Sequence, residues 1–74
     1  MINEMDLVVL LEDLPDLKLR KGDVGTVVMS HENGTGFEVE FSTFGGVSVA
    51  VATLPASAIR AVGRLEIAHV REVA

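Results

Sequence analysis

Three sets of residues in this chain have types and spacings that bear on chemistry. Glu38 and Glu40 stand two apart in FEVEF, which puts both carboxylates on one face of a strand. A desolvated pair there would divide general-acid and general-base work, but a convex strand face offers no cleft to desolvate it. Lys18, Arg20 and Lys21 cluster in LKLRKGD, where cations would meet phosphate or an acidic protein. Asp13, Asp16 and Asp23 share that loop and neutralise the patch, and aromatics for base stacking are scarce: the chain has no Tyr, no Trp and three Phe. His31 and His69 lack a third ligand at a recognisable spacing, so no metal site is expected. Ser, Thr and Lys occur without a base or an oxyanion arrangement, and no phosphate-binding glycine loop precedes a helix. The chain is therefore expected to be neither an enzyme nor a cofactor carrier.

The stretch RKGDVGTVV, residues 20–28, is similar to the start of KOW-type modules, small barrels that touch ribosomal RNA or polymerase. Its residues also have a purely structural use. Gly22 allows a tight bend, Asp23 accepts backbone hydrogen bonds in it, and Gly25 suits a bulge or a close backbone approach. The structural use is preferred, because a net charge of -5, from six Lys and Arg against eleven Asp and Glu, disfavours nucleic acid and anionic membranes alike.

These residues must be positioned by a small scaffold. At 74 residues the chain is one domain, and a domain of this size buries only about 60% of the surface its unfolded chain exposes. With no Cys there is neither a disulfide nor a thiolate metal site to assist it. No apolar run reaches the roughly 18 residues of a membrane span, and the acidic start MINEMDLVVLLEDLP does not resemble a signal peptide, so a cytoplasmic location is expected.

The pattern is that of short strands. DLVVLLE, residues 6–12, is an apolar run closed by acids. DLPDLKLRKGD, residues 13–23, reads as an irregular excursion broken by Pro15 and Gly22, with Leu14, Leu17 and Leu19 folding back over the core. GTVVMSH, residues 25–31, is a second strand, followed by the hairpin signal Asn33-Gly34, with Gly36 as a further site for positive φ. Phe37, Val39 and Phe41 alternate inward against Glu38 and Glu40. After the turn Phe44-Gly45-Gly46, Val47, Val49 and Val51 are expected inward and Ser48, Ala50 and Ala52 outward. Pro55 to Ala58 forms one tight 3-10 turn before a closing strand over residues 59–62.

The expected fold is all-β: a five-stranded SH3-like barrel over residues 1–62, preferred to an OB-fold because no helix separates the third and fourth strands. Residues 63–74, GRLEIAHVREVA, form a C-terminal extension, read as a strand in preference to a short helix. The apolar side chains of the extension, Leu65, Ile67, Val70 and Val73, need a cover. With Phe44 they are the candidates for self-association into a dimer.

Taken together, DLVVLLEDLP, LRKGDVGTVV, FEVEF and TLPASAIRAV resemble the small bacterial family catalogued as domain of unknown function 4926, over roughly residues 6–62. The resemblance implies a short cytoplasmic β-barrel without an assigned activity. It further implies one half of a two-gene unit, with an antitoxin-like, immunity-like or adaptor role. The functional expectation is a non-catalytic protein-interaction module, with Lys18, Arg20 and Lys21 on the partner-binding loop and a basic, neighbouring-gene protein as partner. The alternative is a KOW-like accessory module on RNA or on the transcription and translation machinery.

Overall fold

The computed structural model describes residues 1–73. Five strands, β1 (Leu7–Leu10), β2 (Val24–His31), β3 (Gly36–Ser42), β4 (Ser48–Pro55) and β5 (Ile59–Ala61), make one antiparallel sheet in the order β4-β3-β2-β1-β5. The fold is all-β, as expected. Val8 and Leu10 of β1, Val27 of β2, Phe37, Val39 and Phe41 of β3, Ala52 and Leu54 of β4 and Ile59 of β5 enter a single core, so the sheet curls on itself. Its edges β4 and β5 are not joined, and the small barrel is open.

Packing within the core alternates large and small side chains. Phe41 pairs with Ala50 on one side, and on the other side the register of Thr26 with Glu40 puts Gly25 beside Phe41. Gly25 in turn pairs with Val8. A Cβ on Gly25 would lie 2.6 Å from Val39 Cγ1, 2.9 Å from Phe41 Cε1 and 2.9 Å from the Glu40 carbonyl. This glycine is therefore required by close approach, not by a bulge; the β2 bulge lies between Val27 and Met29.

Strand β3 buries Phe37, Val39 and Phe41, as its alternation predicts. Strand β4 is turned over relative to expectation. Ala52 and Leu54 are buried and Ala50 packs on the core, whereas Val47 and Val51 are exposed. Cross-strand partners share a face, and the partners of Phe41, Val39 and Phe37 are Ala50, Ala52 and Leu54. Small residues fit beneath bulky ones, and Leu54 closes the far end. Only Val49 goes partly inward: a register shift after Phe41 makes it the extra residue of a bulge.

The connections are more ordered than an irregular excursion. Residues 13–23 contain a miniature hairpin in which Leu14 and Leu19 exchange backbone hydrogen bonds of 2.9 and 3.1 Å around the 3-10 turn Pro15–Leu17. Leu19 is buried and Leu14 packs on the core, but Leu17 points outward, contrary to expectation. Between β2 and β3 the chain turns through Glu32–Gly34 with positive φ at Glu32, Asn33 and Gly34, while Gly36 begins β3 without needing one. The 3-10 turn Ala56–Ala58 precedes β5 as predicted. The extension is neither strand nor helix: residues 62–73 run as irregular chain with one turn. It is held instead by side-chain contacts.

Candidate functional site

The long loop and the extension meet at one end of the sheet. Asp13 Oδ1 accepts the Lys21 amide at 2.8 Å, and Asp23 Oδ2 accepts the Arg20 amide at 2.8 Å, so two of the acids in the loop brace its backbone. Gly22 takes φ 98° between them, and Lys18 takes the left-handed φ 62° after Pro15–Leu17. Arg71 then crosses from the extension. Its Nε and Nη2 donate to the two Asp23 oxygens at 2.8 and 2.6 Å, and Nη2 also donates to the Lys18 carbonyl at 3.0 Å. The hydrogen bond from Arg71, with that from the Arg20 amide, holds the Asp23 carboxyl below the usual carboxylate range against the opposing effect of burial. The same pairing raises the Arg71 guanidinium still further above neutrality.

Arg71 is the residue that sequence reasoning missed here. It lies far along the chain from Asp23, in a segment with no clear periodicity, so no local pattern announces the pair. Its arrival puts four of the six basic residues, Lys18, Arg20, Lys21 and Arg71, at one end of the molecule. Lys18, Arg20 and Arg71, with Asp13, Pro15 and Leu19, line an open depression of about 370 Å³. Among the described residues, Lys18, Arg20 and Lys21 make no ion pair, so their charges face solvent.

On the outer face of the sheet, Glu38 is paired with His31 and Thr53, not with Glu40. His31 Nε2 and Glu38 Oε2 are 2.8 Å apart, and the Thr53 hydroxyl donates to both Glu38 oxygens at 2.8 and 2.9 Å. His31 is thus half-buried against a carboxylate. The order of these groups matters. A nucleophilic hydroxyl needs the imidazole between itself and the carboxylate, whereas here the carboxylate lies between the other two. Hydrogen bonds from His31 and then Thr53 keep the Glu38 carboxyl below its ordinary range, which makes it a poor base. The group braces β2, β3 and β4.

The predicted apolar candidates are all outside the core. Phe44 is 92% exposed, Leu65 90%, Ile67 95%, Val70 71% and Val73 39%. Arg60 grips Glu66 through two hydrogen bonds of 2.7 Å, and Glu66 Oε1 accepts the Gly63 amide at 2.6 Å. Arg60 first and Gly63 second push the Glu66 carboxyl down to about 2. Among the described residues, these bonds tie the extension to β5 and to the long loop, and none ties it to the Phe44 turn. Phe44 shares its turn with Val47, and Val51 follows within β4; both valines are more than half exposed.

No group of three or more His, Cys, Asp or Glu among the described residues is placed to hold a metal ion, and no helix there is long and apolar enough to cross a membrane. The family model described as Domain of unknown function (DUF4926) matches residues 4–61, and the chain belongs to that family. Neither the curated proteins nor the solved structures provide a match. The matched region ends where β5 ends, so Arg71 and the exposed apolar residues of the extension lie beyond it.

Proposed function

We propose that this member of a family of unknown function is a non-catalytic protein-interaction module that self-associates and recognises a partner protein. The observation that carries the proposal is the placement of bulky apolar side chains outside a core that is already filled. Phe44, Val47 and Val51 line β4 and its turn, and Leu65 and Ile67 project from an extension pinned by its charged residues. A basic partner suits the module, because its net charge of -5 would steer such a partner by long-range attraction. An antitoxin, immunity or adaptor role beside a neighbouring gene is the version that the family resemblance favours.

The test is affinity purification of the tagged chain from its host, with and without nuclease, followed by mass spectrometry. One stoichiometric, nuclease-resistant protein is expected. A second reading, binding to RNA or to the transcription and translation machinery, is favoured by the clustering of Arg71 with Lys18, Arg20 and Lys21. Recovery of ribosomal or polymerase components that vanish with nuclease would select it. Charge reversal at Lys18, Arg20 and Lys21 would then abolish a strongly salt-dependent affinity.

A further inference from the structure

The two edges of the sheet are unequal. Strand β5 is three residues long, carries Arg60 and is followed by the turn that Glu66 closes, all of which discourage pairing. Strand β4 is eight residues long and its outer side is free. From Phe41 to Ile59 there is no charged residue, so β4 lacks the lysines or inward charges that commonly blunt an edge.

The backbone of β4 defines how it would pair. Ala56 donates its amide to the Thr35 carbonyl at 3.1 Å, which marks 35 and 56 as a hydrogen-bonded pair. By alternation in an antiparallel ladder, Ala50, Ala52 and Leu54 turn their amides and carbonyls toward β3, and Val51 and Thr53 turn theirs outward. The bulge at Val49 and the missing amide of Pro55 bound this regular stretch, and each lies three residues from Ala52. The free edge is thus symmetric about Ala52.

We propose that β4 pairs antiparallel with β4 of a second copy about a two-fold axis at Ala52. This rests on the interaction-module reading and names its self-association surface. Val51 of each chain exchanges two backbone hydrogen bonds with Thr53 of the other, and the β-branched side chains of these residues lie side by side on the outer face. Charge selects a second copy as the occupant. A chain of net charge -5 repels its own kind, and the uncharged stretch from Phe41 to Ile59 is where two copies can meet without facing carboxylates. The nearest, Glu40 on one β3 and Glu38 on the other, would be separated by three strand spacings, about 14 Å, which exceeds the Debye length of about 8 Å at physiological ionic strength. Phe44 and Val47, at the turn before β4, extend the apolar rim. Such a short edge gives a weak dimer, with a dissociation constant on the order of 10–100 micromolar.

The experiment is sedimentation equilibrium of the full chain from low micromolar to about millimolar concentration, bracketing the weak-dimer range. Wild type, Val51→Thr, Val51→Lys and Leu65→Ser/Ile67→Ser are compared, each checked for wild-type thermal unfolding. Val51 is more than half exposed in the monomer, so both of its replacements are expected to fold. Wild type, Val51→Thr and the extension variant should dimerise alike, and Val51→Lys should weaken dimerisation several-fold, because a lysine blunts the edge and the lysines of the two copies become diagonal neighbours about 7–8 Å apart across the axis. Amide exchange at Val51 and Thr53 should slow as concentration rises. A dimer that survives Val51→Lys and is lost in the extension variant overturns the edge and leaves self-association standing. A monomer throughout overturns the second-copy proposal, and the nuclease-resistant capture described above then decides the interaction-module reading separately. If that captured partner is lost with Val51→Lys while the chain stays monomeric, the edge belongs to a different protein, which also overturns the proposal.

Discussion

Replacing Gly25 by alanine tests whether RKGDVGTVV is there for backbone geometry. The added Cβ would sit 2.6 Å from Val39 Cγ1, 2.9 Å from Phe41 Cε1 and 2.9 Å from the Glu40 carbonyl, and none of these is the loose end of a flexible chain. Val39 and Phe41 are buried on β3, so relief requires β2 and β3 to separate. Overpacking of this kind costs about 1–3 kcal/mol, against a total stability of about 4–11 kcal/mol for a domain of this length. At about 4–8 °C per kcal/mol, the melting temperature should fall by about 5–20 °C. Gly36→Ala is the internal control, because the nearest atoms to its new Cβ are at 3.8 and 3.9 Å and its φ is not positive. It should leave the melting temperature unchanged or raise it slightly by restricting the unfolded chain. Thermal unfolding followed by far-ultraviolet circular dichroism measures both. If Gly25→Ala melts within ~2 °C of wild type, or if Gly36→Ala loses as much, the close-approach account of Gly25 fails.

The Asp23–Arg71 pair predicts a pH dependence. Folded Asp23 holds its proton less readily than unfolded Asp23, so its contribution is present above the ordinary carboxylate range and is lost as pH falls through the depressed folded value. Urea titrations should find Asp23→Asn less stable than wild type near neutrality, with the gap closing in strong acid; a gap that is constant with pH would refute the linkage. Arg71→Ala should lower stability near neutrality by less than the loss of a fully buried pair would, since both side chains remain partly accessible, and the loss should shrink in strong acid. On the outer face, the Glu38 carboxyl should titrate below its ordinary range by NMR and move upward in His31→Ala, with a smaller rise in Thr53→Val. An unchanged Glu38 titration in His31→Ala would contradict the 2.8 Å contact. Leu10→Ala, at a fully buried position, should lower stability by about 2–5 kcal/mol and shift the urea midpoint sharply, as far as nearly unfolding so small a domain.

What could be read from the chain depended on whether the deciding interaction was local. Strand β3 was legible because Phe37, Val39 and Phe41 alternate strictly with glutamates, and only one face of such a strand can be dry. Gly22 and Asp23 were legible for the same reason, since a bend and the carboxylate that caps it lie one residue apart. Strand β4 was not. Its valines and alanines are all apolar enough to go inward, so hydropathy cannot choose a face. The choice belongs to β3, whose bulky Phe41, Val39 and Phe37 leave room only for Ala50, Ala52 and Leu54 arranged as they are. The bulge at Val49 then breaks the period that a two-residue alternation assumes. His31, Glu38 and Thr53 were missed as a group because their contact needs the β2–β3 and β3–β4 registers together. Arg71 reaches Asp23 across the whole domain, and no spacing rule covers that distance.

Exposed apolar side chains are common on folded proteins and, scattered singly, need no explanation. A single, barely exposed side chain such as Leu11 belongs to that ordinary class. Val51 does not, because it sits on an edge strand whose amide and carbonyl groups at Val51 and Thr53 lack partners within the sheet. A charged residue at position 51 would protect that edge and still accommodate the inward packing of Ala50, Ala52 and Leu54. The fold of the monomer therefore does not account for the absence of charge along β4. A monomeric role would leave this edge as a standing aggregation hazard, particularly with Phe44 and Val47 beside it. An edge that is paired in the working state would remove the hazard, and in the proposed pairing the symmetry of the bulge and Pro55 about Ala52 makes β4 of a second copy the completing strand.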